Sequence, residues 1–140
     1  ACASSRVPAE QQQVFELVKE ARDLVVARAQ EAWEQDEVLQ GWQLDRVARL
    51  HIEEAGYGSR FVHRTGHSLG PGPSIHALGA NLDDLETHDT REILPSTGFS
   101  VEPGIYLTEF GVRLEIDVYV DAERGPIVTT PIQDEIVLLA

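Results

Sequence analysis

Methionine is absent from all 140 residues, and cysteine and lysine occur once each, as Cys2 and Lys19. A lone thiol excludes an internal disulfide and any C-x-x-C metal site, so cysteine carries no chemistry in this chain. No apolar run approaches the ~18 residues of a membrane span, and no charged stretch followed by an apolar one opens the sequence. The expectation is a cytoplasmic protein. Basic residues are scarce as well, 11 against 24 acidic ones, for a net charge of −13. Phosphate neutralisation needs clustered Lys and Arg, which excludes nucleic acid and anionic membrane as partners. General usage would supply about 2 or 3 methionines in a chain of this size, so their absence predicts a piece of a longer product or a processed form.

What is present suits one globular domain spanning residues 1–140, with 42% hydrophobic content and a disordered start over residues 1–7. Val14, Leu17, Val18, Ala21 and Val25 share one stripe of a helix running from Pro8 to about Trp33. Leu44, Val47, Ala48, His51, Ile52 and Ala55 repeat the spacing, and Gly56 and Gly58 offer a left-handed stop. The stretch Ser68 to Ser96 is rich in turn formers and reads as loop. Strands are then expected at Phe99–Val101, Ile105–Leu107, Val112–Val120, Ile127–Thr130 and Glu135–Leu139. Helices followed by an antiparallel sheet argue an α+β fold.

Three metal-capable side chains fall inside distinctive motifs: His67 in H-R-T-G-H, Glu102 in S-V-E-P-G-I-Y and Glu115 in G-V-R-L-E. Alternation from Val112 to Val120 puts Val112, Leu114, Ile116, Val118 and Val120 on one face and Arg113, Glu115, Asp117 and Tyr119 on the other. Ser100 and Glu102 lie opposite Val101, so Glu102 and Glu115 can meet across neighbouring strands. Such a pair repels unless a proton, Arg113 or a cation intervenes. With His67 the set suits Mn, Fe, Co or Zn, an ion that acidifies a bound water toward hydroxide near neutral pH. Spacing alone is met more simply by solvated polar residues on a half-exposed sheet.

The motifs H-R-T-G-H-S-L-G, F-S-V-E-P-G-I-Y-L and F-G-V-R-L-E, with V-T-T-P near the end and Q-L-D-R-V-A-R-L-H-I-E-E-A-G-Y-G upstream, resemble the catalytic domain of the Xaa-Pro aminopeptidase and prolidase family. These are the pita-bread metallopeptidases. The resemblance covers about the second half of that domain and implies two helices on a curved antiparallel sheet, half to two-thirds of the pita-bread fold. It also implies His67, Glu102 and Glu115 as metal ligands, with Glu115 bridging, His76 as proton shuttle, and His63 and Arg113 as substrate-binding residues. The implied substrate is a peptide with Pro at its second position.

The family's two Asp ligands, in a D-x-G motif and a later D-x-T-R segment, have no counterpart among these residues, and the segment carrying them is expected before residue 1. The divalent ion is accordingly expected to be mononuclear or absent in this chain alone. The His67 to His76 interval is two residues longer than the family's, around Pro71-Gly72, and Ala77 replaces the usual Glu after the shuttle. Two further readings stand beside the enzyme: a catalytically inactive binding or oligomerisation module, and a fragment whose unpaired sheet edges make a homo-oligomer or an association with the missing half.

Overall fold

The computed structural model describes residues 6–72 and 75–139; Cys2, most of the expected disordered start and Pro73 of the P-G-P turn lie outside the described residues. Helix α1, Ala9–Glu34, buries Val14, Val18, Ala21, Val25, Ala29 and Ala32 along one stripe. Helix α2, Gly41–Glu54, begins with a reciprocal cap in which Gln40 and Gln43 serve each other's backbone. It ends as expected at Gly56, with φ of +87°. The Tyr57 N–H donates to the Ile52 carbonyl at 3.0 Å and the Gly56 N–H to Glu53 at 2.9 Å, closing the last turn.

Four antiparallel strands form the main sheet in the order β1 (Ser68–Leu69), β2 (Gly98–Val101), β5 (Ile116–Asp121), β6 (Gly125–Val128), and β3 (Gly104–Tyr106) pairs with β4 (Gly111–Arg113) beside it. Val14, Val18 and Val25 of α1, Leu44, Ala48 and Ile52 of α2, and Phe99, Val101, Ile105, Ile116 and Val118 of the sheets share one core. Helices on one face of antiparallel sheets make the fold α+β, as the element order predicts.

The expected single strand Val112–Val120 is two strands. Val101 faces Ile116 and Gly104 faces Arg113, so both ladders keep one register and Glu102-Pro103 falls opposite Glu115 and Leu114. Pro103 has no N–H to give a ladder, and pairing lapses there. The side-chain alternation survives the break: Leu114, Ile116, Val118 and Val120 are buried while Arg113, Glu115 and Tyr119 are exposed. The expected strand Glu135–Leu139 does not form either. Its apolar residues run without alternation, Val137, Leu138 and Leu139 are exposed, and the segment before it is held to α1 by Arg22, which donates to the Gln133 carbonyl at 2.8 Å. Among the described residues no helix is long and apolar enough to cross a membrane.

Candidate metal centre

Residues 61–65 connect a 3-10 turn, Gly58–Arg60, to β1 without joining a strand, and Gly66 then passes against β2. A Cβ on Gly66 would lie 1.9 Å from the Ser100 carbonyl oxygen, so only glycine permits this approach. The approach delivers His67 to the sheet. Its N–H donates to Ser100 Oγ at 3.0 Å, its carbonyl accepts the Ser100 N–H at 2.9 Å, and Ser100 Oγ donates to Glu102 Oε1 at 3.1 Å.

The tautomer of His67 follows from its neighbour. Nδ1 lies 3.0 Å from the Ser68 carbonyl, which can only accept, so Nδ1 carries the proton. In the neutral ring Nε2 presents a lone pair, 3.6 Å from Glu102 Oε1. Two acceptors face one gap, an arrangement that a cation between them relieves.

Glu115 stands opposite Glu102 across the break in the hairpin. Arg113 reaches both, Nη1 at 3.6 Å from Glu102 and Nη2 at 3.6 Å from Glu115. One imidazole and two carboxylates suit a borderline-to-hard divalent ion in donor chemistry. Among the described residues, however, no group of three His, Cys, Asp or Glu side chains is arranged to hold an ion by itself. His67 and Glu102 share the gap, whereas Glu115 meets them through Arg113.

The longer interval does not carry His76 away. Leu69 bridges to His76 and the Ala77 N–H donates to the Ser68 carbonyl at 3.2 Å, which returns the chain alongside β1. The His76 ring stacks on His67 with centroids 4.1 Å apart and planes 17° from parallel. His63 has both nitrogens engaged: Nδ1 donates to the Arg64 carbonyl at 2.7 Å, and Nε2 accepts from the Tyr106 hydroxyl at 2.8 Å.

Tyr106 escaped the sequence reading, although it shares strand parity with Ser100 and Glu102. Its ring lies across Gly104 and Gly111, where a Cβ would come within 2.8 Å of it. Burial pushes the Tyr106 phenol above its usual pKa, against the opposing pull of the Arg113 charge and hydrogen bond, with Glu102 adding to the rise. The phenol therefore keeps its proton to donate to His63. His63, His67, His76, Glu102 and Arg113 line one cleft of ≈ 280 Å³ together with Arg64 and Glu86, which pair at 3.5 Å and of which only Arg64 falls within a motif. Two further histidines stay apart from it: His51 sits beside Glu20 between the helices, and exposed His88 lies against Trp42 and Asp84.

The model of metallopeptidase family M24 matches residues 2–122. The chain is 34% identical over 106 residues to an Xaa-Pro dipeptidase from Lactobacillus helveticus, covering 75% of this chain and 26% of that protein. Among solved structures, a prolidase from Thermococcus sibiricus superposes with a TM-score of 0.80 at 31% identity, over 99% of this chain and 34% of its own. An X-Pro aminopeptidase from Thermotoga maritima gives 0.74 at 32% identity, over 91% and 34%. The chain thus spans about a quarter to a third of these relatives. Its α+β architecture is the corresponding part of the pita-bread fold that they share. With a family model covering most of the sequence, from the first helix through β5, the chain belongs to metallopeptidase family M24.

Proposed function

We propose that this chain carries the C-terminal part of an Xaa-Pro-type peptidase site, which hydrolyses the bond before a proline in second position once further donors complete a divalent-metal centre. The observation that supports it is the gap between His67 Nε2 and Glu102 Oε1, two acceptors 3.6 Å apart, with Glu115 opposite Glu102 in the hairpin register. The ligands from this chain are His67, Glu102 and Glu115, and the ion is Mn, Co, Zn or Fe. Such an ion supplies Lewis-acid polarisation and acidifies water.

The chain's other residues handle substrate and protons. His76, stacked on His67, moves a proton through a ring nitrogen toward the leaving amide nitrogen. Arg113 and His63 orient the peptide along the cleft, His63 held in plane by Tyr106. Arg113 also supports a second reading, a non-catalytic binding module, because its guanidinium already neutralises both glutamates without an ion.

The two readings separate on one experiment. Mn²⁺ and Zn²⁺ are titrated into the chain and into His67→Ala and Glu102→Ala variants by calorimetry, and release of proline from Ala-Pro is followed with and without a polypeptide supplying two Asp donors. Metal binding lost in both variants, with proline release only in the complemented sample, supports the enzyme. Equal binding in all three proteins, or no release under any condition, overturns it.

A further inference from the structure

Asp45 lies on α2, outside the cleft and fully buried. Its carboxylate accepts Arg49 Nε at 2.7 Å, Arg49 Nη2 at 3.0 Å, and the N–H and hydroxyl of Thr65 at 2.8 Å each. Arg49 spends its remaining donors on the same segment, reaching the Phe61 carbonyl at 3.2 Å and the His63 carbonyl at 2.9 Å. Its guanidinium also lies 4.4 Å over the Phe61 ring. Alternate residues Phe61, His63 and Thr65 are therefore tied to two side chains one helical turn apart. On the other side of Thr65, its carbonyl accepts the Glu102 N–H at 2.7 Å.

We propose that Asp45 and Arg49 are positioning residues that set where His67 stands relative to Glu102, and with it the width of the gap between them. The inference rests on the reading of that gap as one wall of a metal centre. Between the 3-10 turn and Thr65 the chain joins no strand ladder, and backbone pairing begins only where the Thr65 carbonyl accepts the Glu102 N–H and Gly66 pairs with Leu82, so up to that point its direction is set by side chains. A bidentate Arg–carboxylate pair fixes direction as well as distance, which a single bond or an apolar contact does not. Thr65 passes that constraint on twice, through the backbone to Gly66-His67 and through its carbonyl to Glu102. A buried ion pair is weak evidence for stability as such, since apolar residues of equal volume serve as well or better. Placement of two backbone segments is a use that apolar residues would not serve.

The test compares wild type with Asp45→Asn and Arg49→Lys in the ¹⁵N-labelled chain. Wild-type His67 is expected to show a single tautomer, protonated at Nδ1. Both variants are expected to show mixed Nδ1 and Nε2 protonation at His67 and at least tenfold faster amide exchange at Glu102, with exchange at Val18 and Val25 of α1 unchanged. Unchanged His67 nitrogens and Glu102 exchange in a folded variant would overturn the proposal. Should Asp45→Asn loosen α1 as well, the charge-preserving Arg49→Lys decides. Zn²⁺ added to wild type together with the polypeptide supplying two Asp donors reads the metal centre separately: a silent His67 Nε2 overturns the metal reading, while the tautomer comparison still decides the positioning role.

Discussion

Glu102 and Glu115 face each other across the lapse in the long hairpin formed by β2–β3 and β4–β5, and Arg113 spans them at 3.6 Å to each. The lapse follows from Pro103, which lacks the N–H a ladder needs. Both glutamates turn the same way because the register continues unshifted on either side of the lapse. A cation between them relieves their repulsion, and in the protein alone Arg113 is that cation. A divalent ion would compete for the same place.

Replacing Arg113 should expose the competition. Arg113→Gln leaves the glutamates opposed, so in chelator the variant should be less stable by the ~0.2–1 kcal/mol typical of a half-exposed pair and unfold at a lower temperature. Zn²⁺ should then restore more stability to the variant than it gives the wild type. Calorimetric melts with chelator and with Zn²⁺ measure both effects. Equal gain from the ion in the two proteins would show that Arg113 and the ion do not share a position.

The buried pair on α2 allows a sharper stability test. Asp45→Ala strands the Arg49 guanidinium and the Thr65 N–H away from water, and losing one partner of a buried ion pair costs about 3–5 kcal/mol. Urea unfolding at neutral pH should shift accordingly. A loss below about 1 kcal/mol would mean that water replaces the carboxylate.

The difference between what sequence shows and what it hides runs through these same residues. Val14, Val18 and Val25 repeat at helical spacing, so α1 is legible in the pattern. The polar face with Arg113 and Glu115 is legible through alternation, because alternation survives a missing ladder bond. The split of Val112–Val120 is not, since its cause, Pro103, sits on the partner strand and only pairing connects the two. Asp45 and Tyr106 were overlooked for a related reason. Each acts on a residue about 20 or more positions away, and local period carries no record of that.

Two glycines should separate close approach from backbone conformation. Gly66→Ala places a methyl 1.9 Å from the Ser100 carbonyl, and backbone on both sides leaves no flexible side chain to yield. A loss of about 1–3 kcal/mol or more is expected, with His67 displaced from Glu102. Gly56→Ala meets no atom within 4 Å but keeps a φ of +87°, so it should cost only ~1–2 kcal/mol for the left-handed conformation. Denaturant unfolding ranks the two, and His67 ring resonances should move in Gly66→Ala alone. The reverse ranking would mean that β1 shifts away from β2 with little resistance.

Acid should act first on the turns that carboxylates hold. Asp121 closes the β5–β6 turn, where Oδ1 accepts the N–H groups of Glu123 and Arg124 at 3.0 Å each and Oδ2 meets Arg124 at 3.2 Å. The Arg124 hydrogen bond, then the two backbone N–H groups, bring the Asp121 carboxyl down from 3.8 to about 2. The folded value lies below the unfolded one, so between them the unfolded chain binds more protons and falling pH favours unfolding. The contribution of Asp121 is complete above an unfolded pKa of ~3.9 and is lost as pH falls through about 2. Its side-chain carboxyl carbon should therefore titrate with a midpoint near 2 by NMR. Asp121→Asn should flatten the pH dependence of stability between those two values while leaving neutral stability little changed, because an Asn oxygen can still accept from the turn. A midpoint at the ordinary carboxylate value would show that the turn opens in solution and that Arg124 does not hold it.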